Sequence, residues 1–215
     1  MDIALGIPAL SPNLTSETLL EWARKADKGP FSSLSILDRL AYHNLEPLMA
    51  LGAAASVTSR VRLMTAILIS SLRNPGILAK QAATLDVISG GRLTLGLGVG
   101  GRDDDFRAAP TNMRDRGRRF DEQLSIMKRI WDGSPVEPGD GIVGPQPIQN
   151  GGPELLIGAL NPVAIERVGR WGTGYLAGWG DPHDAGRLYE IAATAWQNAD
   201  RSGRPRFVAG AYIAL

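Results

Sequence analysis

A chain of 215 residues with 44% hydrophobic and 21% charged side chains has enough apolar surface for one folded domain, which excludes a disordered chain. Its 23 basic and 22 acidic side chains leave a net charge of +1, so no charge excess points to nucleic acid or an anionic membrane. The absence of cysteine excludes disulfides, thiolate metal sites and cysteine nucleophiles, and the 2 histidines, His43 and His183, are too few for a histidine-rich metal site.

Apolar runs and helical periods alternate along the chain. Ile3 to Pro8 reads as a first strand and Thr15 to Ala26 as a helix. Leu34 to Leu37 is a second run, followed by a helix over Pro47 to Val57. Val61 to Ile69, long and rich in β-branched residues, is a third run. Pro75 to Ile88 is helical, with Leu78, Ala82, Leu85 and Ile88 on one face. Leu93 to Val99 is a fourth run and Arg118 to Trp131 a helix. Leu155 to Ala159, Tyr175 to Ala177 and Phe207 to Leu215 read as further strands, with helices at Val163 to Trp171 and Ala185 to Ala199 between them. Asn74-Pro75, Asn161-Pro162 and Asp181-Pro182 each place a capping side chain before a proline at the first helical position. Seven predicted strands alternating with helices imply parallel α/β structure, either an open doubly wound sheet or a (β/α)₈ barrel. The stretch 132–152 breaks the rhythm with four prolines and six glycines. It reads as an excursion, either over the surface or as a lid.

No apolar stretch approaches the ~18 residues of a membrane helix, and the N-terminus lacks a basic leader region. The expectation is a cytoplasmic protein with no membrane partner and no nucleic-acid partner.

Few residues announce chemistry. Gly96-Leu97-Gly98-Val99-Gly100-Gly101 nominally matches a dinucleotide fingerprint. It follows the fourth strand rather than the first, and no helix is predicted to open there, which argues against that reading. The glycines suit either close approach of a flat ligand or tight packing at the strand end. Asp103-Asp104-Asp105 has no accompanying ligand spacing and reads as a solvated loop, so no metal site is assigned. Asp38 and Arg39 close the second strand, where α/β sites collect, and His43 follows them. These are the catalytic candidates, although Arg39 could equally form a structural ion pair and His43 sit at the surface. Without a nucleophile or metal, an organic cofactor is the natural carrier of chemistry.

Several motifs then occur in a telling order: Asn74-Pro75 with Ala79-Lys80-Gln81, Leu85-Asp86, Ser89-Gly90-Gly91-Arg92-Leu93, Leu95 to Gly100, Asp105-Phe106, Arg116-Gly117-Arg118-Arg119, Pro145 to Gln149 and Leu156-Ile157-Gly158. This series resembles the bacterial luciferase-like flavin-dependent monooxygenase family. The resemblance implies a (β/α)₈ barrel binding reduced FMN, or alternatively coenzyme F420, at its C-terminal face. It implies an oxidoreductase acting on a small organic substrate, usually as a homodimer, with a flavin reductase as supplier of reduced FMN. It places Pro8 and Leu10 under the cofactor ring, a non-proline cis peptide at Ala66-Ile67 beside it, and Val99, Gly100 and Gly101 along it. It places Gly158, Ala159, Leu160 and Asn161 at the phosphate, where a helix N-terminus suits an anion.

The departures are specific. Many members have histidine where this chain has Arg39, tryptophan or an acid where it has Gly101, and Gly-Gly-Ser or Gly-Gly-Asn in the phosphate loop. The alternative reading is therefore a non-catalytic flavin-binding protein of the same fold. A barrel of this type typically has ~250 residues. Seven strands would leave the first and last unpaired, so a longer protein or a partner subunit is expected to complete it.

Overall fold

The computed structural model describes residues 1–178 and 180–211. Its strands are β1 (Ala4–Gly6), β2 (Ser33–Ile36), β3 (Arg62–Ile69), β4 (Leu93–Gly98), β5 (Glu154–Gly158), β6 (Gly174–Ala177) and β7 (Arg206–Ala209). Its helices are α1 (Ser16–Lys28), α2 (Pro47–Ala55), α3 (Pro75–Ile88), α4 (Asp103–Ala108), α5 (Arg116–Trp131), α6 (Pro162–Ile165), α7 (Arg167–Arg170) and α8 (Pro182–Asn198). All strand pairs are parallel, in the order β1-β2-β3-β4-β5-β6-β7. The sheet is an open curl of the barrel type, with β1 and β7 as its ends among the described residues. Residues 212–215 of the seventh predicted run lie outside the described residues.

Alternation along the strands builds two unequal apolar layers. On β4, Leu93, Leu95 and Leu97 point outward into the large core beneath the helices. Leu63 on β3, Leu155 and Ile157 on β5 and Tyr175 on β6 join them. The concave face holds a much smaller cluster, Met64, Leu156 and Leu176, with Ala66, Ile67 and Val208 against it. This is why the inner strands read as continuous apolar runs: β4 and β6 are buried on both faces, whereas the end strands β1 and β7 are partly exposed.

The N-terminal end of the concave face is polar. The Thr94 hydroxyl donates to Glu154 Oε2 at 2.6 Å, and Arg206 Nη1 donates to both Glu154 oxygens at 2.7 and 2.6 Å. Arg62 adds a 3.3 Å ion pair. Burial pushes the Glu154 carboxyl up, but these hydrogen bonds and charges outweigh it and hold it below the usual carboxylate range.

The caps form as the dipeptides imply. Asn74 Oδ1 accepts from Ile77 N at 3.1 Å, Asn161 Oδ1 from Val163 N at 3.0 Å, and Asp181 Oδ1 from His183 N at 2.7 Å. His183 is exposed in that first turn, as expected. Gly90 and Gly91, at φ +67° and +80°, end α3, and the Gly91 amide closes on Asp86 O at 2.8 Å.

Two expectations are corrected. A helix does open after the glycine run: α4 begins at Asp103, with its three aspartates in the first turn, where the helix dipole favours them. The helix predicted at Val163 to Trp171 is divided into α6 and α7 around Glu166. The excursion 132–152 contributes no residue to the described lining of the cavity below. Gln149 donates to Asp86 at 2.6 Å and to the Leu93 carbonyl at 2.7 Å, which fixes the segment at the N-terminal end of β4.

One acid limb is written into the α1–β3 contact. Burial raises the Asp27 carboxyl, but amides of Val61, Ser59 and Arg60 donate to it and lower it from 3.8 to about 2. A depressed carboxylate contributes stability above its unfolded value and loses it as pH falls through its folded value. Asp27→Asn is therefore expected to cost about 1 kcal/mol at pH 7, after discounting for solvent screening. The difference from wild type should vanish between pH 4 and pH 2, as followed by urea unfolding at each pH.

Candidate functional site

A cavity of about 860 Å³ opens at the C-terminal ends of β3, β4, β5 and β6. That volume lies in the range of small-molecule sites, roughly 300–1,000 Å³. From β3 come Ala66 and Ile67, joined by a cis peptide bond as the resemblance implies. Val99, Gly100 and Gly101 follow from β4, and Gly158, Ala159, Leu160 and Asn161 from β5. Pro8 and Leu10 are absent from the lining. Leu10 instead gives its carbonyl to His43 Nε2 at 3.3 Å.

The glycines divide by what a side chain would meet. A Cβ at Gly158 would stand 2.4 Å from Ile67 Cγ2, and one at Gly98 would stand 2.9 Å from Ile67 Cδ1. Gly100 has φ +72° and lies under Ile69. These glycines serve packing first, since they let Ile67 lie flat across β4 and β5. The run follows the fourth strand and not the first, which still argues against the dinucleotide reading. Gly101 is different: a Cβ there would meet nothing within 4 Å. Neither conformation nor packing requires glycine at this position, and its missing side chain is open space beside the cavity.

Two buried hydroxyls hold the walls from behind. Ser71 Oγ donates to the Val99 carbonyl at 2.6 Å, and Tyr175 Oη donates to the Ala159 carbonyl at 2.7 Å. Burial pushes the Tyr175 phenol up to about 12, so it stays protonated as a donor.

The catalytic candidates are elsewhere. Asp38 accepts from Ile69 N at 2.8 Å and pairs with Arg73 at 2.6 Å. Arg39 pairs with Asp104 and Asp105, both at 2.8 Å. Asp105 also accepts from Leu40 N at 2.9 Å and Ala41 N at 2.7 Å, and it is 1% exposed. Asp104 and Asp105 thus clamp the loop after β2 instead of lying in a solvated loop, while Asp103 is exposed. His43 is exposed and stacks on Tyr42 at 4.3 Å. Among the described residues no cluster of histidine and carboxylate side chains could hold a metal ion.

The charged lining escaped sequence reasoning. Arg114, Arg116 and Arg167 all face the cavity. Arg167 is neutralised by Asp121 at 2.7 Å, which also ties α7 to α5. Arg116 gives one N–H to Met113 O at 2.8 Å, and its buried Nε has no partner among the described residues. Arg114 forms no ion pair among the described residues. At the start of α6, Asn161 satisfies the amides of Val163, Ala164 and Ile165, so those three donors are taken within the chain. Free positive charge therefore lies with Arg114 and Arg116. The signal was the motif Arg116-Gly117-Arg118-Arg119, whose first arginine turns inward while Arg118 pairs with Glu122 on the surface.

Comparison with known proteins agrees with this geometry. The family model described as luciferase-like monooxygenase matches residues 7–215. An uncharacterized protein of Mycobacterium tuberculosis is 32% identical over 196 residues, covering 86% of this chain and 68% of that protein. The F420-dependent glucose-6-phosphate dehydrogenase of Beutenbergia cavernae is 30% identical over 193 residues, covering 81% of this chain and 56% of that enzyme. The crystal structure of monooxygenase RslO1 from Streptomyces bottropensis superposes with a TM-score of 0.82 at 25% identity, covering 94% of this chain and 68% of that one. No helix among the described residues is long and apolar enough to cross a membrane. A parallel curl with its cavity at the strand C-termini, matched by that model along nearly its whole length, makes the chain a member of the luciferase-like monooxygenase family.

Proposed function

We propose that the cavity binds a flavin or deazaflavin, FMN or coenzyme F420, and that the chain serves a cofactor-dependent oxidoreductase acting on a small organic substrate. One observation carries this reading: a cavity walled by glycine and aliphatic side chains has two arginines without carboxylate partners on its rim. Flat apolar walls suit a planar ring, and the orphaned Arg116 Nε suits a phosphate oxygen.

A bound flavin or deazaflavin supplies hydride or electron transfer. The chain's own residues do the rest. Ala66, Ile67, Val99 and Leu176 exclude water from the ring faces. Ser71 and Tyr175 fix the two loop carbonyls that shape the walls. Arg114 and Arg116 hold the anion.

Among the described residues the lining contains no histidine, carboxylate, lysine or cysteine. That favours a second reading, a cofactor-binding protein that does not itself turn over substrate. Consumption of NAD(P)H or reduced cofactor by the loaded protein separates the two.

Titration with FMN and with F420, read by fluorescence, is expected to show saturable binding of at least one. Arg116→Gln should weaken it about tenfold, the value of a charge-assisted hydrogen bond. Absence of binding to both at high micromolar concentration would refute the proposal.

A further inference from the structure

The cavity lining carries three arginines and, among the described residues, no acid. Acids nevertheless stand close by in the chain. Asp121, on α5, is taken by Arg167. Asp115 immediately precedes α5 and lies in sequence between Arg114 and Arg116, the two lining arginines without carboxylate partners. A carboxylate so placed is the natural counter-ion for either of them. Among the described residues it pairs with neither, because both of its oxygens are engaged elsewhere. Oδ1 pairs with Arg119, one helical turn on, and Oδ2 has Arg118 at 3.4 Å. Arg118 is exposed and lies closer to Glu122, at 2.6 Å. The stronger hold on Asp115 is therefore that of Arg119, whose side chain is 22% exposed.

Arg119 does not line the cavity itself. Its remaining hydrogen bonds fix its place. Nη1 donates to the Ser71 carbonyl at 3.2 Å and Nη2 to the Asn112 carbonyl at 3.0 Å. Ser71 in turn holds the Val99 carbonyl of the cavity wall, and Asn112 Oδ1 accepts from the Arg114 amide at 2.9 Å. The guanidinium is a planar fork anchored to the wall on one side and to the arginine loop on the other, with its charge spent on Asp115.

We infer that Arg119 is a positioning residue for the anion site: by holding Asp115, it leaves Arg114 and Arg116 uncompensated and free for an anionic group in the cavity. The inference rests on the cofactor reading above, in which that group is the cofactor's phosphate. Without Arg119, the Asp115 carboxylate turns to the arginines on either side of it and competes with the phosphate for them.

The test uses two pairs of fluorescent probes that differ at the phosphate: FMN with riboflavin, and F420 with its phosphate-free deazariboflavin core. The readout is the phosphate preference, the ratio of dissociation constants within the pair that the wild-type chain binds. Arg119→Gln is expected to lower this preference about tenfold, the value of a charge-assisted hydrogen bond. Asp115→Asn alone should change it by less than about threefold, since that carboxylate is already masked. Arg119→Gln combined with Asp115→Asn should restore the preference, although it removes more native contacts than either change alone. A merely structural Arg119 predicts the opposite, a double variant at least as weak as Arg119→Gln. Arg119→Lys keeps a cation on Asp115 and gives up the fork, so it should hold the preference within about threefold. It decides the matter if Arg119→Gln does not fold. The inference is overturned, with the cofactor reading intact, by an unchanged preference in Arg119→Gln, by a double variant without recovery, by a tenfold gain in Asp115→Asn, or by a tenfold loss in Arg119→Lys. Equal affinity of the wild-type chain for both members of the pair overturns the anion site. Binding of none of the four probes removes the cofactor reading and this inference together.

Discussion

Alanine at Gly96 is expected to destabilise the fold by about 3 kcal/mol, at the upper end of what an overpacked core site costs. A Cβ there would lie 2.1 Å from the Thr65 carbonyl oxygen and 3.2 Å from Leu176 Cδ1. The leucine can yield, but the carbonyl is backbone and cannot rotate away. Thr65 is moreover held in place, since its hydroxyl donates to the Gly96 carbonyl at 2.7 Å. Any accommodation must displace β3 from β4 just before Ala66 and Ile67, so the cavity should suffer along with the stability. Gly101→Ala is the matched control. It adds the same methyl group where nothing lies within 4 Å and should change stability by less than about 0.5 kcal/mol. Urea unfolding of both variants tests the contrast, and equal midpoints would show that the β3–β4 spacing is not the constraint.

The second large effect concerns Asp105. Its buried carboxylate accepts from Arg39 and from the Leu40 and Ala41 amides, joining α4 to the loop after β2. Asp105→Ala would strand a partly buried guanidinium and two amides, at a cost of about 3 kcal/mol. Arg39→Met should also destabilise, because it leaves Asp105 charged, 1% exposed and short of its counter-ion. This outcome separates a structural from a catalytic Arg39. A catalytic arginine lost to methionine would spare the unfolding midpoint and remove only activity.

The legible parts of the fold were those governed by local chemistry. Pro75 to Ile88 was readable to the residue, because Asn74 caps it and Ser89-Gly90-Gly91 ends it. The strands were readable as apolar runs, but their order in the sheet came from the resemblance, because the same runs suit a doubly wound sheet and a barrel. The six-residue α4 was hidden, since Phe106 is its one large apolar side chain and no period can be read from it. In the site, the backbone positions from Ala66 to Asn161 could be placed by motif order, whereas the arginines could not. Whether an arginine faces a cavity or a carboxylate depends on how a loop folds back, and Arg116 and Arg118, two residues apart, do opposite things. For Asp38 and Arg39 the sequence left chemistry and a structural ion pair equally open. Their position at a strand end invited chemistry, but partners distant in the chain, Arg73 and Asp105, had already claimed them.

The unequal apolar layers of the sheet bear on how such a protein can change over time. Most of its buried apolar residues lie in the leucine-rich face beneath the helices. The concave face, thinned by Gly96, Gly98, Gly158 and Gly174, contributes a small cluster around Met64, Leu156 and Leu176. At rim positions such as Gly101, where no neighbour constrains the side chain, substitutions can accumulate with little threat to folding. The cavity lining can therefore drift while the scaffold is inherited intact.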